Sequence, residues 1–127
     1  MLRNARLIEE LRGSRQAARS PVPVVTESRS VGRYSPDIEA AVYFCCLEAL
    51  QNVAKYAGAG SARLRVSGVN SHLSFEVTDD GPGFDPAATA HGTGLQGMAN
   101  RLEALGGSIE IRSRPGQGTT IAGRVPV

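Results

Sequence analysis

Apolar and polar residues alternate with a period of two in the middle of the chain. The alternation covers Ala62–Val69 and His72–Thr78 and predicts two half-buried strands. The segment from Gly68 to Ser71 lies between them and predicts a hairpin turn. A second hairpin is predicted near the end of the chain, from Ser108–Ser113 and Thr119–Val125, with residues 114–118 as its turn.

Three other stretches follow a helical period. Residues 3–18 carry a rough apolar stripe and predict a first helix. A long helix is predicted from Pro36 to about Ala57, because Ser35 can cap it and proline suits the first helical position. A third helix is predicted over Leu95–Leu105, ended by Gly106-Gly107.

A short strand over Val22–Thr26 completes the predicted elements, and Pro23 predicts that it lies at a sheet edge. Residues 80–93 read as a loop. The order α-β-α-β-β-α-β-β predicts an α+β fold, a two-layer α/β sandwich with one mixed sheet covered on one face by helices. We expect residues 1–20 to be a helical linker segment, the truncated end of a preceding region, and residues 21–127 to form one domain.

Composition narrows the class of protein. A net charge of +2 over 127 residues is too small to indicate nucleic-acid binding. No apolar run reaches the roughly 20 residues that span a bilayer, and no signal-peptide pattern begins the chain. Cys45 and Cys46 are neighbours on a helix and point about 100° apart, so they are poor disulfide or metal partners. Buried, reduced cysteines in a cytoplasmic protein are predicted.

Polar side chains with possible binding roles lie along one face of the long predicted helix. Glu48, Asn52 and Lys55 are spaced at i, i+4 and i+7 and therefore share that face. The asparagine oxygen suits Mg²⁺, the carboxylate can orient or accept a proton or hold a metal-bound water, and the lysine suits phosphate. A solvated polar stripe on an amphipathic helix would look the same.

A second candidate group ends the predicted strand at Val77-Thr78. There, Asp79-Asp80-Gly81-Pro82-Gly83-Phe84 combines carboxylates with glycines. A carboxylate at a strand end can accept a hydrogen bond from the adenine amine, whereas guanine offers a carbonyl that it repels. Gly81 and Gly83 would let the backbone approach a flat base. The same pattern of aspartate, glycine and proline is also typical of an ordinary turn.

A third candidate group is Gly92-Thr-Gly-Leu-Gln-Gly97 at the start of a helix. It matches a dinucleotide-binding pattern, but that pattern needs a strand directly before it, and Asp85–His91 cannot be a central strand. The free N–H groups of a helix start still suit phosphate.

Together these residues resemble the ATP-binding domain of the GHKL superfamily, the Bergerat fold of gyrase, heat-shock chaperones, histidine kinases and MutL. The resemblance covers nearly all of residues 36–127. Glu48 to Tyr56 is similar to the N box, Asp79 to Phe84 to the G1 box, and Gly92 to Leu95 to the G2 box. The ending from Leu105 to Thr119 is similar to the C-terminal hairpin of sensor histidine kinases. The match as a whole is similar to kinases that have a short ATP lid and response-regulator partners of the NarL type.

The resemblance implies a role for each matching residue. Asn52 would coordinate Mg²⁺, Glu48 would act through water or as a base, and Asp79 would bind the adenine amine. Gly81 and Gly83 would shape the adenine pocket. Thr119 would support the far side of that pocket. The remaining implied ATP contacts are on the phosphate side: Lys55, Tyr56, Gly92, Thr93, Gly94 and Leu95. Residues 84–93 would form the lid.

The resemblance also implies a function and partners. The chain would be the catalytic domain of a histidine kinase, with ATP and Mg²⁺ as cofactors and a NarL-type response regulator as partner. Its two histidines, His72 and His91, do not lie on a helix before Glu48, so the phosphoacceptor would sit on a separate dimerisation domain. An isolated domain of this type would be monomeric. An anti-sigma factor or serine kinase of the same fold, and a nucleotide-sensing module without transfer, are the alternatives.

Overall fold

The computed structural model describes residues 24–56, 61–81, 93–113, 116 and 118–127. These ranges contain β1 (Val24–Arg29), α1 (Pro36–Tyr56), β2 (Ala62–Val69), β3 (His72–Asp79), α2 (Thr93–Glu103), β4 (Ser108–Ser113) and β5 (Thr119–Pro126). The helix predicted over residues 3–18 lies outside the described residues, as does most of the predicted loop over 80–93.

The strands form one mixed sheet in the order β1-β2-β3-β5-β4. Strands β1 and β2 are parallel, and the other neighbours are antiparallel. Parallel neighbours need a long crossover connection, which α1 provides. The predicted α+β class and mixed sheet are therefore confirmed.

Strand β1 lies at the sheet edge, as predicted, but its predicted end was wrong, and its predicted start at Val22 lies outside the described residues. The prediction ended at Thr26, whereas pairing with β2 continues until Arg29 faces Ser67. Glu27, Ser28 and Arg29 are exposed and polar, so no apolar alternation marks this half of the strand. Its pairing partner determines the conformation here.

Helix α1 begins at Pro36, as predicted, and its start is capped by two side chains. The hydroxyl of Ser35 accepts a hydrogen bond from the N–H of Ile38 at 3.4 Å. The carboxylate of Glu39 accepts one from the N–H of Tyr34 at 3.1 Å and pairs with Arg33 at 3.2 Å. Glu39 is buried. Its hydrogen bond and ion pair offset the cost of placing a charged carboxylate in an apolar environment.

Helix α2 starts and ends two residues earlier than the predicted Leu95–Leu105. The final turn closes with Gly107 N–H donating to the Leu102 carbonyl at 2.7 Å and Gly106 N–H donating to that of Glu103 at 3.0 Å. Gly106 has a φ of +80°, which glycine adopts without the strain of a side chain. The predicted stop at the two glycines is confirmed.

The first hairpin turn consists of Asn70 and Ser71 alone, with φ values of 58° and 61°. Two positive φ values in a two-residue loop match the right-handed twist of the strands. The prediction began the turn at Gly68, but Gly68 pairs with Leu73 inside the ladder. A side chain at Gly68 would collide with the hydroxyl of Tyr34 and the carbonyl of Ser30.

The core lies between the two helices and one face of the sheet. It is built from apolar side chains of β2, β3 and β5 and of both helices: Val42, Cys45, Cys46, Ala49, Leu50, Ala62, Leu64, Val66, Leu73, Phe75, Val77, Met98, Leu102, Ile121 and Val125. The opposite face is polar, with ion pairs of Glu27 with Arg63 at 3.1 Å and of Glu110 with Arg112 at 2.9 Å. No helix among the described residues has the length and apolar content for a membrane span.

Both cysteines are free and fully buried, as predicted. The thiol of Cys45 donates to the carbonyl of Met98 on α2 at 3.8 Å. Burial raises the pKa of Cys45 to about 12, against the opposing effect of Arg101. Burial also raises the pKa of Cys46. These thiols therefore stay protonated at neutral pH and act as core side chains.

Candidate functional site

The candidate site lies at the sheet end where β3 finishes and β5 begins. Asp79 pairs with Thr119 across these two strands, and Thr119 pairs with Ser113 of β4. Paired residues point to the same face, and Asp79 follows Phe75 and Val77 at the period of two. The row Asp79–Thr119–Ser113 therefore continues the core side of the sheet to its end.

Asp79 is a buried carboxylate, with 7% of its surface exposed. Its Oδ1 accepts a hydrogen bond from the N–H of Gly81 at 2.9 Å. Burial raises the pKa of Asp79 above its ordinary value, while hydrogen bonds from the N–H groups of Gly81 and Thr119 oppose the rise and the charge of Asp80 adds to it. A buried carboxylate with lone pairs to spare is suited to receive a ligand donor.

The neighbouring Asp80 has a different role. It is exposed, and its two oxygens accept hydrogen bonds from the N–H and the hydroxyl of Ser61, at 2.9 and 3.0 Å. The N–H of Asp80 donates to the carbonyl of Ser61 at 3.3 Å. Asp80 thus ties the end of β3 to the residue before β2.

Gly118 shapes the same sheet end and was not among the predicted site residues. It has a φ of +77°, and a side chain there would collide with the carbonyl of Asp79. Ser113, also not predicted, lies 2.8 Å from Thr119 between hydroxyl oxygens. The glycine directly before Thr119 was the available sequence signal, since glycine beside a strand often marks close backbone approach.

The direction of α1 along the sheet brings Glu48 and Asn52 toward this end. Tyr34, just before α1, lies against Gly68 near the end of β2. Helix α1 ends at Tyr56, shortly before Ala62, which pairs with Asp79. The helix therefore runs toward the Asp79 end. Glu48 and Asn52 lie in its second half and are half-buried.

Helix α2 runs in the opposite direction to α1. Gly107, just after α2, lies against the carbonyl of Arg124 near the far end of β5. Two contacts between the helices agree with this antiparallel arrangement. Arg101, later in α2, stacks on the ring of Phe44 at 3.7 Å, and Met98, earlier in α2, contacts Cys45, the next residue of α1. The first residues of α2 therefore point to the Asp79 end.

The predicted site residues thus fall into four groups. Asp79, Gly81 and Thr119 come together, and Glu48 and Asn52 lie on the helix half directed toward them. Gly83 and Gly92 lie outside the described residues. Five others are described only as positions within helices, at the carboxyl end of α1 or the amino end of α2: Lys55, Tyr56, Thr93, Gly94 and Leu95.

The fold and this sheet end define the class of ATP-binding α/β sandwich domains. Residues 37–127 match the family described as histidine kinase-, DNA gyrase B- and HSP90-like ATPases. The match covers most of the chain, which therefore belongs to this ATPase family. ATP binding follows from that membership.

Two curated relatives are histidine kinases by name. The signal transduction histidine-protein kinase/phosphatase DegS of Brevibacillus brevis is 33% identical over 96 residues, 75% of this chain and 25% of DegS. The oxygen sensor histidine kinase NreB of Staphylococcus carnosus is 35% identical over 102 residues, 77% of this chain and 29% of NreB. The chain spans about a quarter of the length of these relatives.

Solved structures share the fold at low identity. Full-length ShkA in complex with AMPPNP superimposes with a TM-score of 0.77 at 22% identity, over 94% of this chain and 29% of ShkA. The Acinetobacter baumannii histidine kinase AdeS gives a TM-score of 0.76 at 15% identity, over 94% of this chain and 62% of that one. These likenesses confirm the fold.

Proposed function

We propose that this chain is the catalytic ATP-binding domain of a two-component sensor histidine kinase. It binds ATP with Mg²⁺ and donates the γ-phosphate to a histidine on a separate dimerisation domain. The observation that carries the proposal is the buried Asp79 carboxylate at the sheet end toward which the Glu48–Asn52 half of α1 runs. The names of the two curated relatives support the choice of reaction.

Adenine recognition falls to Asp79. Two backbone N–H groups use part of the acceptor capacity of its oxygens, and the exocyclic amine of adenine supplies the further donor. Gly81, Gly83 and Gly118 keep side chains away from the base. Thr119 lies beside Asp79 on the same sheet face and supports the far side of the pocket.

The phosphate side is formed by the two helix ends. Asn52 supplies a neutral oxygen for Mg²⁺, and Glu48 holds a water or accepts a proton near the transferred group. When bound, Mg²⁺ offsets the negative charge of the phosphates. The remaining residues that we assign to the phosphates are Lys55, Tyr56, Gly92, Thr93, Gly94 and Leu95.

The partners follow from this reaction. The histidine-bearing dimerisation domain of the same kinase receives the phosphate, and a response regulator of the NarL type then takes it. The proposed location is the cytoplasm, on the cytoplasmic side of the membrane if the sensor spans one. The domain by itself is a monomer without nucleic-acid or membrane contacts.

Asn52→Ala is expected to remove the part of ATP affinity that depends on Mg²⁺. Loss of a residue that only hydrogen-bonds to a metal ligand already lowers metal affinity about 10- to 100-fold, so we expect loss of the proposed ligand itself to weaken ATP binding at least about tenfold with Mg²⁺ present. Calorimetric titration with ATP, with Mg²⁺ or with a chelator, measures this difference. Gln51→Ala, which removes the neighbouring amide, is the matched control and should keep the Mg²⁺ effect. An Asn52→Ala variant that retained the Mg²⁺ effect on ATP affinity would contradict the assignment of Asn52.

Phosphotransfer in trans tests the proposed reaction itself. The chain is incubated with labelled ATP and a helical dimerisation fragment that carries a histidine, and phosphohistidine is identified by its lability to acid. We expect transfer to that fragment and none when its histidine is replaced. Phosphorylation of a serine on an antagonist protein instead would show the serine-kinase alternative, and ATP binding without transfer to either would favour a nucleotide-sensing module.

A further inference from the structure

Ser113 contacts two oxygen atoms at the edge of the proposed adenine pocket. Its hydroxyl donates to the carbonyl of Gly118 at 3.1 Å. The same hydroxyl oxygen lies 2.8 Å from that of Thr119. Ser113 and Thr119 face each other across β4 and β5, and Thr119 faces Asp79 across β5 and β3. Ser113 is therefore one strand removed from Asp79, with Thr119 between them.

One arrangement of the hydroxyl hydrogens satisfies both contacts. A hydroxyl has one hydrogen to donate, and a carbonyl has none. Both contacts are hydrogen bonds when Ser113 donates to Gly118 and Thr119 donates to Ser113 across the 2.8 Å contact. The reverse assignment would leave two oxygen lone-pair regions facing each other at 3.1 Å without a hydrogen between them. The hydrogen-bond network thus assigns Thr119 as the donor to Ser113.

Thr119 then presents only lone pairs to the pocket, because its single hydrogen is used. Beside it, the Asp79 carboxylate is also an acceptor. Two adjacent acceptors match the two hydrogens of an exocyclic amine. A base with a carbonyl at the same place would meet acceptors on both sides, and unpaired acceptors facing each other in a buried pocket are unfavourable.

We infer that Ser113 is a positioning residue for base selectivity: it holds the Thr119 hydroxyl as an acceptor, so that the pocket selects bases that carry an amine. The inference rests on the proposed ATP site. Without the Ser113 hydroxyl, the hydrogen of Thr119 is free to turn toward the pocket and donate to a carbonyl. Discrimination between amine- and carbonyl-bearing bases then falls.

The chain offers a matched control on the neighbouring rung of β3 and β5. Thr78 and Thr120 form a hydroxyl pair at 3.3 Å, in which either atom can donate. Thr120 is adjacent to Thr119 and therefore points to the opposite, polar face of the sheet. Thr120→Val removes a similar contact without reaching the pocket.

The test compares the affinities of ATP and ITP, whose base has a carbonyl where adenine has the amine. Calorimetry is run on the wild type, Ser113→Ala, Ser113→Thr and Thr120→Val, each first shown to fold by circular dichroism and thermal melting. We expect Ser113→Ala to reduce the preference for ATP over ITP by about fivefold, the size of one neutral hydrogen bond. Ser113→Thr keeps a hydroxyl and should retain the wild-type preference for ATP over ITP. Thr120→Val should leave that preference unchanged.

A purely structural role of Ser113 would weaken both nucleotides equally and leave their ratio unchanged, which would overturn the inference. The inference would also be overturned if Ser113→Thr did not retain the wild-type ratio of ATP to ITP affinity. If the wild type bound ATP but the ratio did not move, the proposed function would stand and the role of Ser113 would not. A wild type that bound neither nucleotide would overturn both.

Discussion

Replacing Asp79 by asparagine is expected to weaken ATP binding about 100-fold while leaving the free energy of unfolding at neutral pH undiminished. A hydrogen bond to a charged group contributes about 1.5–3 kcal/mol, or roughly 10- to 100-fold in affinity. The upper value applies because the new amide can also turn an N–H toward the adenine amine. Calorimetry with ATP measures the loss.

The stability half of this expectation follows from the raised pKa of Asp79, whose largest cause is burial. A carboxyl with a raised pKa in the folded state binds protons more tightly there than in the unfolded chain. The free energy of unfolding therefore falls as pH rises from the unfolded-state pKa through the folded-state pKa, and stays lower above it. Asparagine does not titrate, so Asp79→Asn should be at least as stable as the wild type at pH 7 and should lose this pH dependence.

Asp80→Asn is the matched control for Asp79→Asn. Asp80 is exposed and holds Ser61, so we expect a modest loss of stability and unchanged ATP affinity. Urea denaturation at several pH values, beside the ATP titrations, separates the two aspartates. An Asp79→Asn variant that was markedly unstable, or one that bound ATP like the wild type, would contradict the assignment.

Gly123→Ala is expected to lower the free energy of unfolding by about 3 kcal/mol, a large part of the 5–15 kcal/mol that stabilises a typical domain. An added Cβ would collide with the ring of Phe75 and lie 2.8 Å from Cδ1 of Leu102. Both side chains are fully buried, so neither can turn into solvent. Overpacking at such a site forces side chains from their preferred rotamers or moves the backbone.

Urea denaturation of Gly123→Ala measures this loss. Gly97→Ala is the matched control, because among the described residues no atom outside its chain neighbours and its own helix backbone lies within 4 Å of the added Cβ. Alanine is also favoured over glycine inside a helix by about 1 kcal/mol. That variant should be slightly more stable than the wild type. A second change, Phe75→Leu, should recover part of the loss in Gly123→Ala. Equal stability of Gly123→Ala and the wild type would show that α2 can move away from β5 without cost.

The sequence predicted the elements that depend on residues close together in the chain. The alternation in β2 and β3 predicted both strands and their buried faces, because successive side chains of a strand point to opposite sides. Ser35 and Pro36 predicted the start of α1, and Gly106-Gly107 predicted the end of α2, because capping acts within one turn. Family resemblance added Asp79 and Thr119 as parts of one site.

Elements without a local signal were predicted less well. The polar half of β1, up to Arg29, is held by pairing with β2 and has no alternation of its own. Gly68 looked like part of a turn, but the sheet keeps it in the ladder, where Tyr34 leaves no room for a side chain. In both cases a partner far along the chain determines the conformation of the segment.

The sequence by itself determined which segments form strands and helices, which side chains are apolar enough to be buried, and which residue types could bind a nucleotide. Only the tertiary structure decided that β5 lies between β3 and β4. That order sets Thr119 beside Asp79 and Ser113 beside Thr119, and it gives Asp79 and Asp80 different surroundings. These neighbours are tens of residues apart in the chain or on different strands, so their contacts arise from strand pairing and packing, which local side-chain spacing does not encode.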